Sequence, residues 1–69
     1  MIYLCDTKRH LICAPYSIPN LHIMAQELGI NRCWFHKDHY DVPKRRIFEV
    51  AQKCQLVSSK TIATIVRKK

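Results

Sequence analysis

The residues best suited to chemistry crowd into one short run, Trp34-Phe35-His36-Lys37-Asp38-His39-Tyr40-Asp41. It offers two imidazoles, two carboxylates and a phenol side by side. His36 and His39 stand three apart, near enough on a turn or helix to share a divalent metal, with Asp38 or Asp41 as an oxygen ligand. The same residues could supply a general base and the group that orients it. If the chain is an enzyme, His36, Asp38, His39 and Asp41 are its catalytic candidates, for a nuclease or another hydrolase. Against both readings, an H-x-x-H spacing alone is a weak metal signal, and no nucleophile motif accompanies it. Side chains of these types also bond loop backbone and cap the next helix. Structural or binding roles are the expectation, with no catalytic residue, metal or cofactor assigned and a divalent metal as the open option.

The second feature is Pro43-Lys44-Arg45-Arg46, read as the start of a helix. Three cations there oppose the helix dipole at about 0.3–1 kcal/mol each. The same placement gathers backbone N–H groups and positive charge into an anion site, with Arg32, Lys37 and His39 at its rim. A solvated basic turn, compensated by Asp41, is the alternative. Lys8-Arg9 and Lys60 with Arg67-Lys68-Lys69 form further basic clusters. On one face, these clusters would make a stripe for a nucleic-acid backbone. Trp34, Phe35 and Tyr40 would stack bases if exposed and anchor the core if buried.

Composition bounds these readings. The chain has 69 residues and a formal charge of +7, from 12 Lys and Arg against 5 Asp and Glu. Such a field on a small body draws anionic partners, here nucleic acid or an acidic host protein. With 48% hydrophobic and 25% charged residues, residues 1–69 read as one globular domain. Its size leaves no room for a deep cavity, so a site should be a surface groove; a homodimer is one way to extend the core. Charged residues interrupt every apolar run, so no segment should cross a membrane. Met1 to Asp6 lacks the features of a signal peptide, which makes the cytoplasm the expected location, the host cytoplasm if the gene is phage-borne. Cys5, Cys13, Cys33 and Cys54 form no C-x-x-C, and apolar residues lie next to or near each; reduced, buried structural thiols are expected. His10 and His22 read as interior or boundary histidines.

The elements that must position these residues are mostly legible. Met1–Cys5 and Leu11–Ala14 suggest strands. Leu21, Met24, Ala25 and Leu28 form the apolar stripe of a helix capped by Ser17 or Asn20 and ended by Gly29. Cys33-Trp34-Phe35 reads as a buried strand or core anchor, and His36–Val42 as a polar loop. A second helix should follow Asp41 as N-cap, with the stripe Ile47, Val50, Ala51 and Cys54. Leu56-Val57 suggests a short strand. A last helix, capped by Ser58 or Ser59, carries Ile62, Ile65 and Val66, although its β-branched residues also suit a strand. The fold class is α/β (α+β), a small single domain of short strands packed with two or three helices.

The run Leu21-His22-x-Met24-Ala25-x-x-Leu28-Gly29, then Arg32-x-Trp34-Phe35 and His39-Tyr40-Asp41, resembles the short phage and bacterial proteins grouped as the domain of unknown function number four thousand and thirty-one. The first strand ending in Asp6, His10-Leu11 and Val57-Ser58-Ser59 fit that pattern too. Two positions depart from it. Cys5-Asp6 stands where an acidic pair is common, and Lys53-Cys54 where Gly-Ala is common. The first departure weakens the case for a carboxylate-bound metal at that strand end. The resemblance implies that His10, His22, Trp34, His39, Tyr40 and Asp41 belong to a shared site or core, in a phage or mobile-element setting, and implies no reaction. The leading reading is a small basic binding protein for an anionic partner, most simply nucleic acid. A protein that binds and inhibits or redirects a host protein, and a His/Asp-dependent hydrolase, are the alternatives.

Overall fold

A computed structural model describes residues 1–67; Lys68 and Lys69 of the basic tail lie outside the described residues. The elements are β1 (Ile2–Cys5), β2 (His10–Ala14), α1 (Ile18–Leu28), β3 (Phe35–His36), β4 (His39–Asp41), α2 (Ile47–Gln52), β5 (Gln55–Leu56) and α3 (Ser59–Arg67). Short 3₁₀ turns at Arg32–Trp34 and Lys44–Arg46 precede β3 and α2. The strands form one sheet in the order β3-β4-β2-β1-β5, with β5 parallel to β1 and the other pairs antiparallel. The protein is an α+β single domain, as expected. Among the described residues, no helix is long and apolar enough to cross a membrane.

α1 follows its local signals closely. The Ser17 hydroxyl accepts the Asn20 amide at 3.1 Å, Pro19 sits in the first turn, and Leu21, Met24, Ala25 and Leu28 are buried. Gly29 closes the helix at φ 71°, the left-handed conformation that favours glycine.

Because strand side chains alternate, the sheet sorts residues onto two faces. Tyr3, Cys5, Leu11, Cys13 and Tyr40 turn toward α1, as the Tyr3–Glu27 and Tyr40–His22 hydrogen bonds mark. Leu4, Asp6, His10, Ile12, His39 and Asp41 turn toward α3, marked by the Ser59–Asp6 bond. Ile62 is the buried residue of α3 and holds it on this face. The Ser58 hydroxyl accepts the Thr61 amide at 3.1 Å and caps α3, which settles helix over strand.

Four expectations change. His36–Val42 is not a loop: Phe35 pairs with Tyr40 and His36 with His39 across a tight hairpin, with Lys37 at φ 63° in the turn. Asp41 belongs to β4 and does not cap a helix; α2 begins at Ile47 after the 3₁₀ turn and ends at Gln52. So short a helix buries only Val50, while Ile47 and Ala51 remain exposed and Cys54 lies beyond it. Cys33-Trp34-Phe35 is no buried strand, since Trp34 is 38% exposed and only Phe35 packs on the core. Cys33 is exposed, unlike the buried Cys5 and Cys13. Burial pushes the Cys5 and Cys13 thiols up, and burial beside the Cys5 thiol lifts Cys54 to about 12. These three remain thiols, which suits structural cysteines.

Candidate functional site

Where β1 turns into β2, Asp6 is 6% exposed and accepts four hydrogen bonds. Its Oδ1 takes the Lys8 and His10 amides, each at 2.9 Å. Its Oδ2 meets His10 Nδ1 at 2.8 Å and the Ser59 hydroxyl at 2.6 Å. Burial would raise the Asp6 carboxyl, but Ser59, His10 and the two amides together hold it below the usual carboxylate range.

His10 stands beside His39, ring centroids 4.9 Å apart and planes at 90°. His39 Nδ1 is 2.8 Å from Asp38 Oδ1, and its Nε2 is 3.3 Å from Asp41 Oδ1. The Tyr16 hydroxyl donates to the Asp38 carbonyl at 2.6 Å and ties down the hairpin that carries both groups. One ligand atom each from His10, His39 and Asp41 can be chosen so that all lie within 4.8 Å of one another. A groove of about 320 Å³ opens over this cluster, walled by Ile62, Ala63 and Val66 of α3.

Side chains from the β1–β2 turn, β2, the β3–β4 hairpin and α3 therefore meet at one place. Sequence reasoning had paired His39 with His36; the fold instead brings His10 to it, and His36 borders the cluster at 5.4 Å between ring centroids. Asp6 and Ser59 were missed as site residues. Asp6 had a faint signal, an acidic residue four before a histidine across a tight turn. Ser59 had none, because its partner lies 53 positions away.

The polar chain runs Ser59–Asp6–His10. In a nucleophilic triad the histidine stands between hydroxyl and carboxylate. Here the Ser59 hydroxyl donates to the carboxylate and no hydroxyl bonds the imidazole, so these contacts activate no serine.

The remaining pattern residues divide between two places. His22 and Tyr40 lie on the opposite face, His22 Nδ1 2.7 Å from the Tyr40 hydroxyl, with Phe35 packed against both rings. They are core and boundary residues that stiffen β4 from beneath. Trp34 instead shares a shallow hollow of about 180 Å³ with Asn31, Arg45 and Arg46 at the end of α1.

The anion candidates also separate. Arg46 donates to the Leu28 and Gly29 carbonyls, each at 2.6 Å, and grips Glu49 through Nη2 at 2.7 Å. It caps the negative end of α1. Arg32 borders His22 and Tyr40, and Lys37 occupies the hairpin turn. Each of the chain's carboxylate side chains has a partner: Asp6 His10 and Ser59, Glu27 Tyr3, Asp38 and Asp41 His39, and Glu49 Arg46. Among the described residues, Arg46 and Lys53 are the Lys or Arg side chains within ion-pair distance of a carboxylate.

The family model described as protein of unknown function (DUF4031) matches residues 6–69. The chain belongs to that family. The match begins at Asp6, so it takes in the whole groove cluster from Asp6 to Ser59. No curated protein matches the chain, and no solved structure does.

Proposed function

We propose that this family member binds the phosphate backbone of a nucleic acid. One observation carries the reading: the carboxylates are engaged by histidine, tyrosine, serine and two cations, which leaves most Lys and Arg side chains unneutralised. Phosphates are the natural partners of such charge. Lys37 and Lys60 each adjoin a groove residue in sequence, namely Asp38 and Ser59, while Arg9 lines the hollow beside Val42 and Ile47. On another side, Arg45 shares its hollow with the part-exposed indole of Trp34, a pairing suited to stacking an unpaired base beside its phosphate. Arg46 is excluded from the contact set, since its guanidinium is already committed to α1 and Glu49. A cytoplasmic setting fits reduced cysteines and access to nucleic acid.

The test is fluorescence anisotropy with labelled single-stranded DNA, duplex DNA and structured RNA at low and physiological salt. Binding should weaken steeply with salt, with a slope that counts the phosphates contacted. Lys37→Gln with Lys60→Gln should lower that slope, and Trp34→Ala should weaken single-strand binding selectively. Absence of binding at low salt to all three probes would refute the reading.

A protein partner is the second reading, favoured by the 86% exposed Phe48 and 67% exposed Leu56 near an apolar hollow lined by Ile47, Val50 and Ala51. A stoichiometric partner retained after nuclease treatment, and lost in Phe48→Ser, would support it.

A further inference from the structure

We propose that His10, His39 and Asp41 bind one divalent transition-metal ion of the zinc class. This goes beyond the nucleic-acid reading and does not depend on it.

The orientation of the two imidazoles is the main ground. Asp6 holds Nδ1 of His10 and Asp38 holds Nδ1 of His39, both at 2.8 Å. Metal-bound histidines are held in this way, with one ring nitrogen on a carboxylate and the other on the ion. His10 Nε2 and His39 Nε2 are then the nitrogens left for a ligand, and Asp41 supplies an oxygen beside them.

Distances agree with this assignment. At zinc bond lengths of about 2.0–2.2 Å, neighbouring ligand atoms of a tetrahedron lie about 3.4 Å apart. His39 Nε2 and Asp41 Oδ1 are already 3.3 Å apart, and one ligand atom from each of the three residues can be chosen so that all lie within 4.8 Å of one another. His10 is part-exposed, so its ring has room to adjust toward an ion.

Charge points the same way. Asp6, Asp38 and Asp41, three of the chain's five acidic residues, surround these two histidines within a protein of formal charge +7. A divalent ion would offset that local concentration of negative charge. Two nitrogens and one oxygen suit zinc, iron, cobalt or manganese, and disfavour the all-oxygen demand of magnesium or calcium. Three protein ligands leave a fourth position for water or an anionic ligand. The groove beside Ala63 provides room for it.

The test uses the full chain freed of metal by chelation and dialysis. Zinc uptake is measured by competition with a chromophoric chelator, and cobalt uptake by its visible absorption. One equivalent should bind, and the cobalt band should indicate four- or five-coordinate geometry. His10→Gln and Asp41→Asn should each abolish stoichiometric binding. Asp6→Asn and Asp38→Asn should weaken it about 10–100-fold. His36→Gln and Cys33→Ser should leave it unchanged. Circular dichroism on each apo variant confirms folding, and the part-exposed Asp41 provides a variant outside the core. Absence of stoichiometric uptake would overturn the proposal. So would uptake that survives His10→Gln, or that disappears with His36→Gln or Cys33→Ser.

Discussion

Replacing Asp6 separates its charge from its shape. The carboxylate is nearly inaccessible and meets two amides, an imidazole and a hydroxyl. Asp6→Ala would leave all four donors without that acceptor, and removing one member of a buried charged network costs about 3–5 kcal/mol. A chain of 69 residues is expected to have only about 3–10 kcal/mol in all. Asp6→Ala should therefore be largely unfolded. Asp6→Asn keeps an oxygen for the two amides and loses the charge at Ser59 and His10, a cost of about 1–2 kcal/mol. With a urea m-value of about 1 kcal/mol/M, its midpoint should fall by about 1–2 M. The pH dependence follows from the lowered Asp6 carboxyl. Its contribution is present above the unfolded value of about 3.9 and is lost as pH falls through the folded value. The difference between wild type and Asp6→Asn should thus be constant near neutrality and narrow on acidification below about pH 5. Urea titrations with chelator present, followed by circular dichroism, measure both effects. Equal midpoints at neutral pH, or a difference that persists unchanged into acid, would refute the reasoning.

Gly29→Ala should destabilise by about 1–2 kcal/mol through its left-handed backbone alone, since a Cβ there meets Arg46 Nη1 at an ordinary 3.6 Å; thermal melting checks this. Ile62→Ala should cost about 2–5 kcal/mol, and hydrogen exchange should show α3 losing protection before β2, because Ile62 is the buried anchor of that helix. Tyr3 donates to Glu27, and this bond, with burial, raises its phenol to about 12. Its contribution is therefore full below the unfolded value of about 10 and lost as pH climbs toward the folded one. Tyr3→Phe should flatten stability across that alkaline range.

The parts of the fold legible in the sequence are those written in neighbouring residues. α1 carries cap, proline, stripe and terminal glycine within Ser17–Gly29, and all agree. The β3–β4 hairpin hid because its turn uses Lys37 at positive φ, where glycine or asparagine is usual, and because its polar face lines a groove. The stripe Ile47-Val50-Ala51-Cys54 had helical spacing but lacked the start signal, since β2 claims Asp41 through its pairing with His10. For the site, the chemical residue types of the hairpin were visible. Their partners were not, because His10 reaches His39 through strand order and Ser59 reaches Asp6 through the docking of α3.

That last contact also bears on how the chain matures during synthesis. At about 5–20 residues per second, a ribosome needs roughly 3–10 s to extend the chain from Asp6 to Ser59. Hairpins form in about 1–10 μs, so β1 and β2 can pair long before the hydroxyl for Asp6 Oδ2 exists. During that interval, the face carrying Leu4 and Ile12 lacks the cover of Ile62. A chain stalled before residue 59 would present this apolar face to its neighbours, while the groove would still lack the wall formed by α3. Translation of α3 thus completes the groove and covers this apolar face in one step.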